Sequence, residues 1–221
     1  MSDHDPPVIG IVGAGKLGTV LARLVLGAGY DVLLASSGPP QRLALIAQFL
    51  APGAETVRAD DAIRRADVVI LAVPLSRVPE LPPADLAGKV VVDATNHWLE
   101  VDGPRQEILP DAEGTSEYVQ RLLPQARVVK AFNHIGYHDL DGAGRPPGDP
   151  RRRAVAIASD DHDALDVVAE LVDGLGFDPV ALDDLQAGRR LEPGTPAFGA
   201  SLSASDLRTV LGEPVRHPDA A

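Results

Sequence analysis

Apolar residues along this chain follow two alternating rhythms. Short, mainly apolar runs at 8–12, 30–35, 67–73, 89–94 and 126–132 read as strands, and those at 67–73 and 89–94 have the β-branched content of strands buried on both faces of a parallel sheet. Between them, 16–26, 41–50 and 160–175 repeat apolar positions every three or four residues, as a helix with one buried face does. Leu17, Val20, Leu21, Leu24 and Val25 mark that face in the first helix. The same reasoning predicts a short strand at 55–59, a helix beginning at Asp60-Asp61, and a helix capped by Thr115 or Ser116 that runs to Leu123. Strands at 154–158 and 177–182 and a short helix at 205–211 complete the pattern. Alternation of this kind specifies an α/β fold: a Rossmann-type, doubly wound, mainly parallel sheet with a small C-terminal extension. The stretch 101–114 reads as a surface loop. Rich in Gly, Pro and Arg, 141–153 reads as a mobile connection between a dinucleotide-binding part, 1–140, and an α/β extension with its tail, 141–221, within one compact unit.

The first strand runs into Gly13-Ala14-Gly15-Lys16-Leu17-Gly18, a G-x-G-x-x-G at the start of a helix. In a dinucleotide site Gly13 makes the tight turn, Gly15 lets the backbone approach a pyrophosphate, and Gly18 permits close helix–sheet packing. The helix N-terminus then offers unpaired N–H groups and the positive end of its dipole to the phosphates. The next strand ends in Ala35-Ser36-Ser37-Gly38 without the Asp or Glu that binds an NAD ribose, and Arg42 follows. Two hydroxyls and a guanidinium suit a 2′-phosphate, which favours NADP over NAD. The same residues also read as a polar loop and a solvated helix position. Two later strands end in Val73-Pro74 and in Thr95-Asn96, which would line one crevice opposite the glycines. Asn96 serves equally as a turn residue.

Composition narrows the chemistry. The chain has no cysteine, which removes disulfides, thiolate catalysis and cysteine metal sites and points to a cytoplasmic setting. A formal net charge of −12 disfavours nucleic acid and anionic membranes as partners. The polar N-terminus argues against secretion, and no apolar run reaches the roughly 20 residues of a membrane span. Neither a G-x-S-x-G elbow nor a phosphate-transfer loop occurs. His134 and His138 are four apart, but Gly136 intervenes and no acidic cluster completes a site, so no metal is expected. No residue is assigned a catalytic role. Arg151-Arg152-Arg153 could hold an anionic tail of an acceptor, although a solvated run before a strand is the better reading. Nothing after Ala126 reads as a multi-helix bundle that would enclose a small acid. A flat electron carrier stacked on a nicotinamide fits better, because hydride transfer between two rings needs orientation and little protein acid–base chemistry.

Several segments together resemble a known family. They are Ile-Gly-Ile-Val-Gly-Ala-Gly-Lys-Leu-Gly at 9–18, Ala35-Ser36-Ser37, Val73-Pro74, Val129-Lys130-Ala131-Phe132-Asn133, the glycine motif at 174–180 and Leu191-Glu192-Pro193. In these the chain resembles NADPH-dependent reductases of the deazaflavin coenzyme F-420, and it is similar to the nucleotide domain of six-transmembrane metalloreductases. The resemblance implies a homodimer that exchanges hydride between NADP(H) and coenzyme F-420. It puts NADP on 13–18, Ser36, Ser37 and Arg42, with Val73, Pro74 and Asn133 flanking the nicotinamide and Asn96 at the same crevice. Ile135 would touch the deazaflavin, with His134 beside it. Two departures from the family stand out: the arginine comes several residues after Ser36 rather than directly after a serine, and Asn133-His134-Ile135-Gly136 replaces a histidine-threonine-isoleucine-proline segment. Reduction of a flavin or another small acceptor, and a non-catalytic NADP(H)-binding redox sensor, are the alternatives.

Overall fold

The computed structural model describes residues 7–110 and 113–212. The polar start at 1–6 and the end of the tail at 213–221 lie outside the described residues. In chain order the elements are β1 (Val8–Val12), α1 (Lys16–Gly27), β2 (Asp31–Ala35), α2 (Pro40–Leu50), β3 (Glu55–Val57), α3 (Ala59–Arg65), β4 (Val68–Leu71) and β5 (Val90–Asp93). Two single turns, α4 (Leu99–Asp102) and α5 (Arg105–Ile108), precede α6 (Thr115–Leu122) and β6 (Arg127–Lys130). The turn α7 (Tyr137–Leu140), β7 (Ala154–Ala158), α8 (His162–Gly174), β8 (Asp178–Leu182) and α9 (Ala204–Leu211) follow.

The eight strands form one sheet in the order β3-β2-β1-β4-β5-β6-β7-β8. Every neighbouring pair is parallel except β6 and β7, which are antiparallel and meet only at Lys130 and Ala158. Strand order reverses between β1 and β4, the place where doubly wound sheets open a crevice at their C-terminal edge. Each residue of β4 and of β5 is buried, as an aliphatic run covered by helices on both faces requires. One face carries α1, α2 and α8, whose Val20, Val25, Leu43, Val168 and Val172 share a core with Ile9, Ile11 and Ile157. The opposite face carries α3 and α6 over Val69, Leu71 and Val91. At β7 and β8 that second face is closed by α9 and the tail, through Leu191, Ala197, Leu207 and Leu211.

Three local expectations need correction. Helix α6 is not capped by Thr115 or Ser116: its N-cap is Gly114, whose N–H is taken by the Glu117 carboxylate. The two hydroxyls turn inward instead, where each accepts a hydrogen bond from the buried Lys130 ammonium, at 2.8 and 2.9 Å. The expected loop at 101–114 begins with the turns α4 and α5, because Asp102 and the residues around it supply their own backbone partners. The segment 141–153 is tied down at both ends: Arg145 N–H donates to the Gly176 carbonyl, and Arg152 is buried. The Arg152 guanidinium donates to the Asp173 and Phe177 carbonyls and pairs with the Asp173 carboxylate at 2.7 Å. Arg151 pairs with Asp149 at the surface. The arginine triplet is therefore divided between the protein body and solvent, and it does not form one basic patch.

Candidate active site

Four parallel strands deliver their C-terminal ends to one edge. The ladder continues one step past each: Gly13 N–H bonds Ala35 O, Ala72 N–H bonds Val12 O, Ala94 N–H bonds Leu71 O, and Ala131 N–H bonds Asp93 O. This staircase places the glycine turn, Val73-Pro74, Thr95-Asn96 and Phe132-Asn133 around a common trough. Gly13 adopts φ +118°, and a Cβ there would lie 2.2 Å from the Ala72 carbonyl oxygen. A Cβ on Gly18 would meet the Gly13 carbonyl at 1.8 Å, so α1 leans directly on the turn. By contrast, a Cβ on Gly15 would meet nothing within 4 Å. Gly15 is the N-cap of α1, and no side chain caps that end. Its first-turn N–H groups are left for an anion.

A cleft of about 640 Å³ opens over this turn, lined by 12–15, Ser36, Ser37, 72–74 and the segment carrying Arg77 and Glu80. A second cavity of about 370 Å³ adjoins it and shares Ala72, Val73 and Pro74. Leu17, Thr95, Asn96, Asn133, Ile135, Tyr137, Trp98 and Phe198 line the second cavity. None of its lining side chains is charged, and Tyr137 is its only titratable one.

The polar groups of this second cavity are held with directional bonds. Asn96 donates its amide to the Asn133 carbonyl at 2.8 Å, and Asn133 donates its own amide to Asn96 Oδ1 and to the Leu191 carbonyl. Because both amide nitrogens already face carbonyls, the orientation of both amides is fixed. Asn133 Oδ1 is consequently left buried with no partner, as is Thr95 Oγ1. A buried acceptor and a buried hydroxyl without partners each cost stability unless a ligand meets them. An amide such as that of nicotinamide supplies both a donor and an acceptor, so these atoms fit the head of the dinucleotide while the glycine turn fits its pyrophosphate. Phe132, buried and at φ +62°, holds Asn133 in this position through a left-handed backbone that bulky residues rarely adopt.

Beneath the site lies a closed polar cluster. Lys130 and Asp93 are both fully buried, 3.7 Å apart, and the Ser116 hydroxyl donates to Asp93 while accepting from Lys130. The other Asp93 oxygen accepts the Thr95 N–H, which sets the turn at the end of β5.

Expected site residues fall into three groups. Gly13, Ala14, Gly15, Ser36, Ser37, Val73 and Pro74 line the first cleft, and Leu17, Val73, Pro74, Asn96, Asn133 and Ile135 line the second. Lys16 and Gly18 build the helix start without lining either: the Lys16 ammonium lies over the Tyr137 ring at 5.4 Å. Arg42 is exposed on α2 and is not part of the cleft wall, whereas Arg77, paired with Glu80 at 2.7 Å, is. His134 is the clear correction. Its ring is fully buried and turned away from the cavity, and its Nε2 accepts the Ala156 N–H at 2.9 Å. Since β6 and β7 pair at one position only, that N–H has no strand partner, and the imidazole replaces the missing ladder bond. Burial pushes the His134 ring down to about 4; the Ala197 carbonyl pulls the other way, and the nearby Lys130 charge lowers it further. Thr95, Trp98, Tyr137 and Phe198 complete the cavity. Trp98 carries a readable signal, a lone tryptophan two residues past a strand-end asparagine; Phe198 carries none.

Residues 8–97 match the family model described as NADP oxidoreductase, coenzyme F420-dependent. The F420-dependent NADP reductase of Methanocaldococcus jannaschii is 28% identical over 143 residues, 62% of each chain. Metalloreductase STEAP3 of Rattus norvegicus is 30% identical over 190 residues, covering 85% of this chain and 36% of that protein. The chain belongs, over residues 8–97, to the F420-dependent NADP oxidoreductase family. It is related to the oxidoreductase domains of the STEAP metalloreductases and spans about a third of the length of those proteins. Among solved structures, a hypothetical protein of Sinorhizobium meliloti is 30% identical, with a TM-score of 0.76 over 90% of this chain and 95% of that one. A putative F420-dependent NADP-reductase of Arthrobacter sp. FB24, 22% identical with a TM-score of 0.68 over 89% of this chain and 99% of that one, shares the fold. Among the described residues no helix is long and apolar enough to cross a membrane, and no group of three or more His, Asp and Glu is placed to hold a metal ion.

Proposed function

We propose that this chain binds NADP(H) along the glycine-turn cleft and exchanges hydride with coenzyme F-420 held in the adjoining cavity. The observation that carries this is the shared wall of Ala72, Val73 and Pro74, with the unpartnered Thr95 hydroxyl and Asn133 Oδ1 beside it. NADPH, when bound, supplies a hydride from its dihydronicotinamide. The balance is NADPH + H⁺ + acceptor → NADP⁺ + dihydro-acceptor, with the one proton drawn from solvent, because the cavity lining holds no carboxylate or histidine. The protein's part is to hold the pyrophosphate on backbone N–H groups, orient the carboxamide through Thr95 and Asn133, and exclude water with an apolar wall. At the far end Ser36, Ser37 and the guanidiniums of Arg77 and Arg42 are the groups available to a 2′-phosphate. The homodimer implied by the family resemblance belongs to the same proposal, and sedimentation checks it.

Reduction of a flavin is the second reading, favoured by the uncharged cavity, which selects a ring and not the side chain attached to it. One experiment separates the readings. Purified protein is mixed with NADPH and either F-420 or a flavin, and loss of NADPH absorbance is followed. Turnover with F-420 well above that with FMN or FAD supports the first reading, and the reverse supports the second. Tight NADPH binding with no turnover of either acceptor overturns both in favour of a redox sensor.

A further inference from the structure

The outer wall of the second cavity is aromatic, and it is built rather than incidental. Trp98 is 44% exposed, and its neighbours on α4, Leu99 and Val101, are more exposed still. Apolar side chains concentrated this way at the mouth of a cavity mark a contact surface. Trp98 packs edge-on against Phe198 of the tail, with ring centroids 5.7 Å apart and planes at 65°. Its backbone is pinned from two sides. One Asp102 oxygen accepts the Trp98 N–H at 2.8 Å, and the other accepts the Ser76 N–H at 2.9 Å, just past Pro74. The His97 ring bonds the Gly103 carbonyl at 2.8 Å and closes the same turn. A single carboxylate thus sets the distance between the indole and the ridge shared with the dinucleotide cleft.

We infer that Trp98, braced by Phe198, is the stacking wall for the acceptor's fused ring system and thereby selects planar polycyclic acceptors over small carbonyl or acidic ones. The inference rests on the proposed hydride exchange and names a specificity residue for it. Indole offers a large face with few rotamers to freeze, so stacking costs little conformational entropy. No charged group in the cavity rewards a carboxylate acceptor. F-420 and flavins share the tricyclic ring, so the wall serves either, and the two are tested in separate arms.

Because Trp98 is the only tryptophan, its fluorescence reports the wall directly. Full-length protein saturated with NADP⁺ is titrated with F-420 in one arm and FMN in the other. Saturable quenching by at least one of them is expected, with a small carboxylate such as pyruvate having no effect. In steady-state assays Trp98→Ala raises the KM for the ring acceptor roughly tenfold, about 1.4 kcal/mol, and leaves the Kd for NADPH unchanged. Trp98→Phe recovers most of that loss. An unchanged KM in Trp98→Ala, with turnover intact, removes the wall and leaves the hydride reaction standing. Quenching without turnover keeps the wall and refutes the reaction. Absence of quenching by both ring compounds overturns the wall whatever the turnover.

Discussion

Lowering the pH should destabilise this protein through His134. The ring is neutral in the fold because burial holds it at about 4, compared with 6.5 for the free side chain. Nε2 is also committed as the acceptor for Ala156 N–H, so a proton there displaces a hydrogen bond that β6 cannot replace. The unfolded chain binds the proton first as pH falls, so the stabilisation is complete above pH 6.5 and is lost progressively towards pH 4. At about 1.4 kcal/mol for each tenfold step in proton affinity, the whole interval is worth roughly 3 kcal/mol. Between pH 7 and pH 5 about 2 kcal/mol of this disappears. Urea unfolding at the two pH values measures the loss, and His134→Gln is the comparison, since its amide oxygen keeps an acceptor near Ala156 without titrating. The wild type should lose about 2 kcal/mol more than the variant. An NMR titration of the His134 ring in the wild type gives the same quantity independently. Parallel pH dependences for the two proteins, together with a ring that titrates near 6.5, would refute the reasoning.

Three further predictions follow from the site. Gly15→Ala should fold with near-normal stability yet bind NADPH at least tenfold more weakly, as loss of a charge-assisted phosphate contact implies, whereas Gly18→Ala should fail in thermal melts because its Cβ has no room against Gly13; equal stability losses in both would contradict the assigned roles. Arg77→Ala should weaken NADPH roughly tenfold to hundredfold with little change for NADH, and Arg42→Ala should do less; an equal loss for both cofactors in calorimetric titrations would remove the 2′-phosphate assignment. Lys130→Met should cost about 3–5 kcal/mol by leaving the Asp93 charge buried and unpaired, and denaturant unfolding in which the double variant with Asp93→Asn recovers none of this would count against the pairing.

Much of this architecture was legible in the order of residues, and the reasons are local. Runs such as Val68–Leu71 and Val90–Asp93 have no plausible home except a strand covered on both faces. Helix α1 announces itself through its glycine turn and its 3.6-residue apolar repeat. What escaped depended on distant partners. Thr115 and Ser116 look like helix caps until Lys130 and Asp93 arrive beneath them from strands remote in sequence. His134 follows a site asparagine and reads as a site residue, yet the gap in the β6–β7 ladder, formed by a strand twenty residues later, draws its ring into the core. Arg152 looks solvated within a basic triplet, but Asp173 and the Phe177 carbonyl capture it. Arg77 and Phe198 carry no local signal at all, and only the folded trough brings them into the walls of the two cavities.

The shared ridge of Ala72, Val73 and Pro74 also constrains the rate law. The dinucleotide cleft and the acceptor cavity abut along it, and without a cysteine the polypeptide has no thiol pair on which to store two electrons between half-reactions. Both compartments must therefore be filled at the same moment for hydride to cross. Initial rates measured against both substrates should give intersecting double-reciprocal lines rather than parallel ones, the signature of a ternary complex rather than a ping-pong cycle.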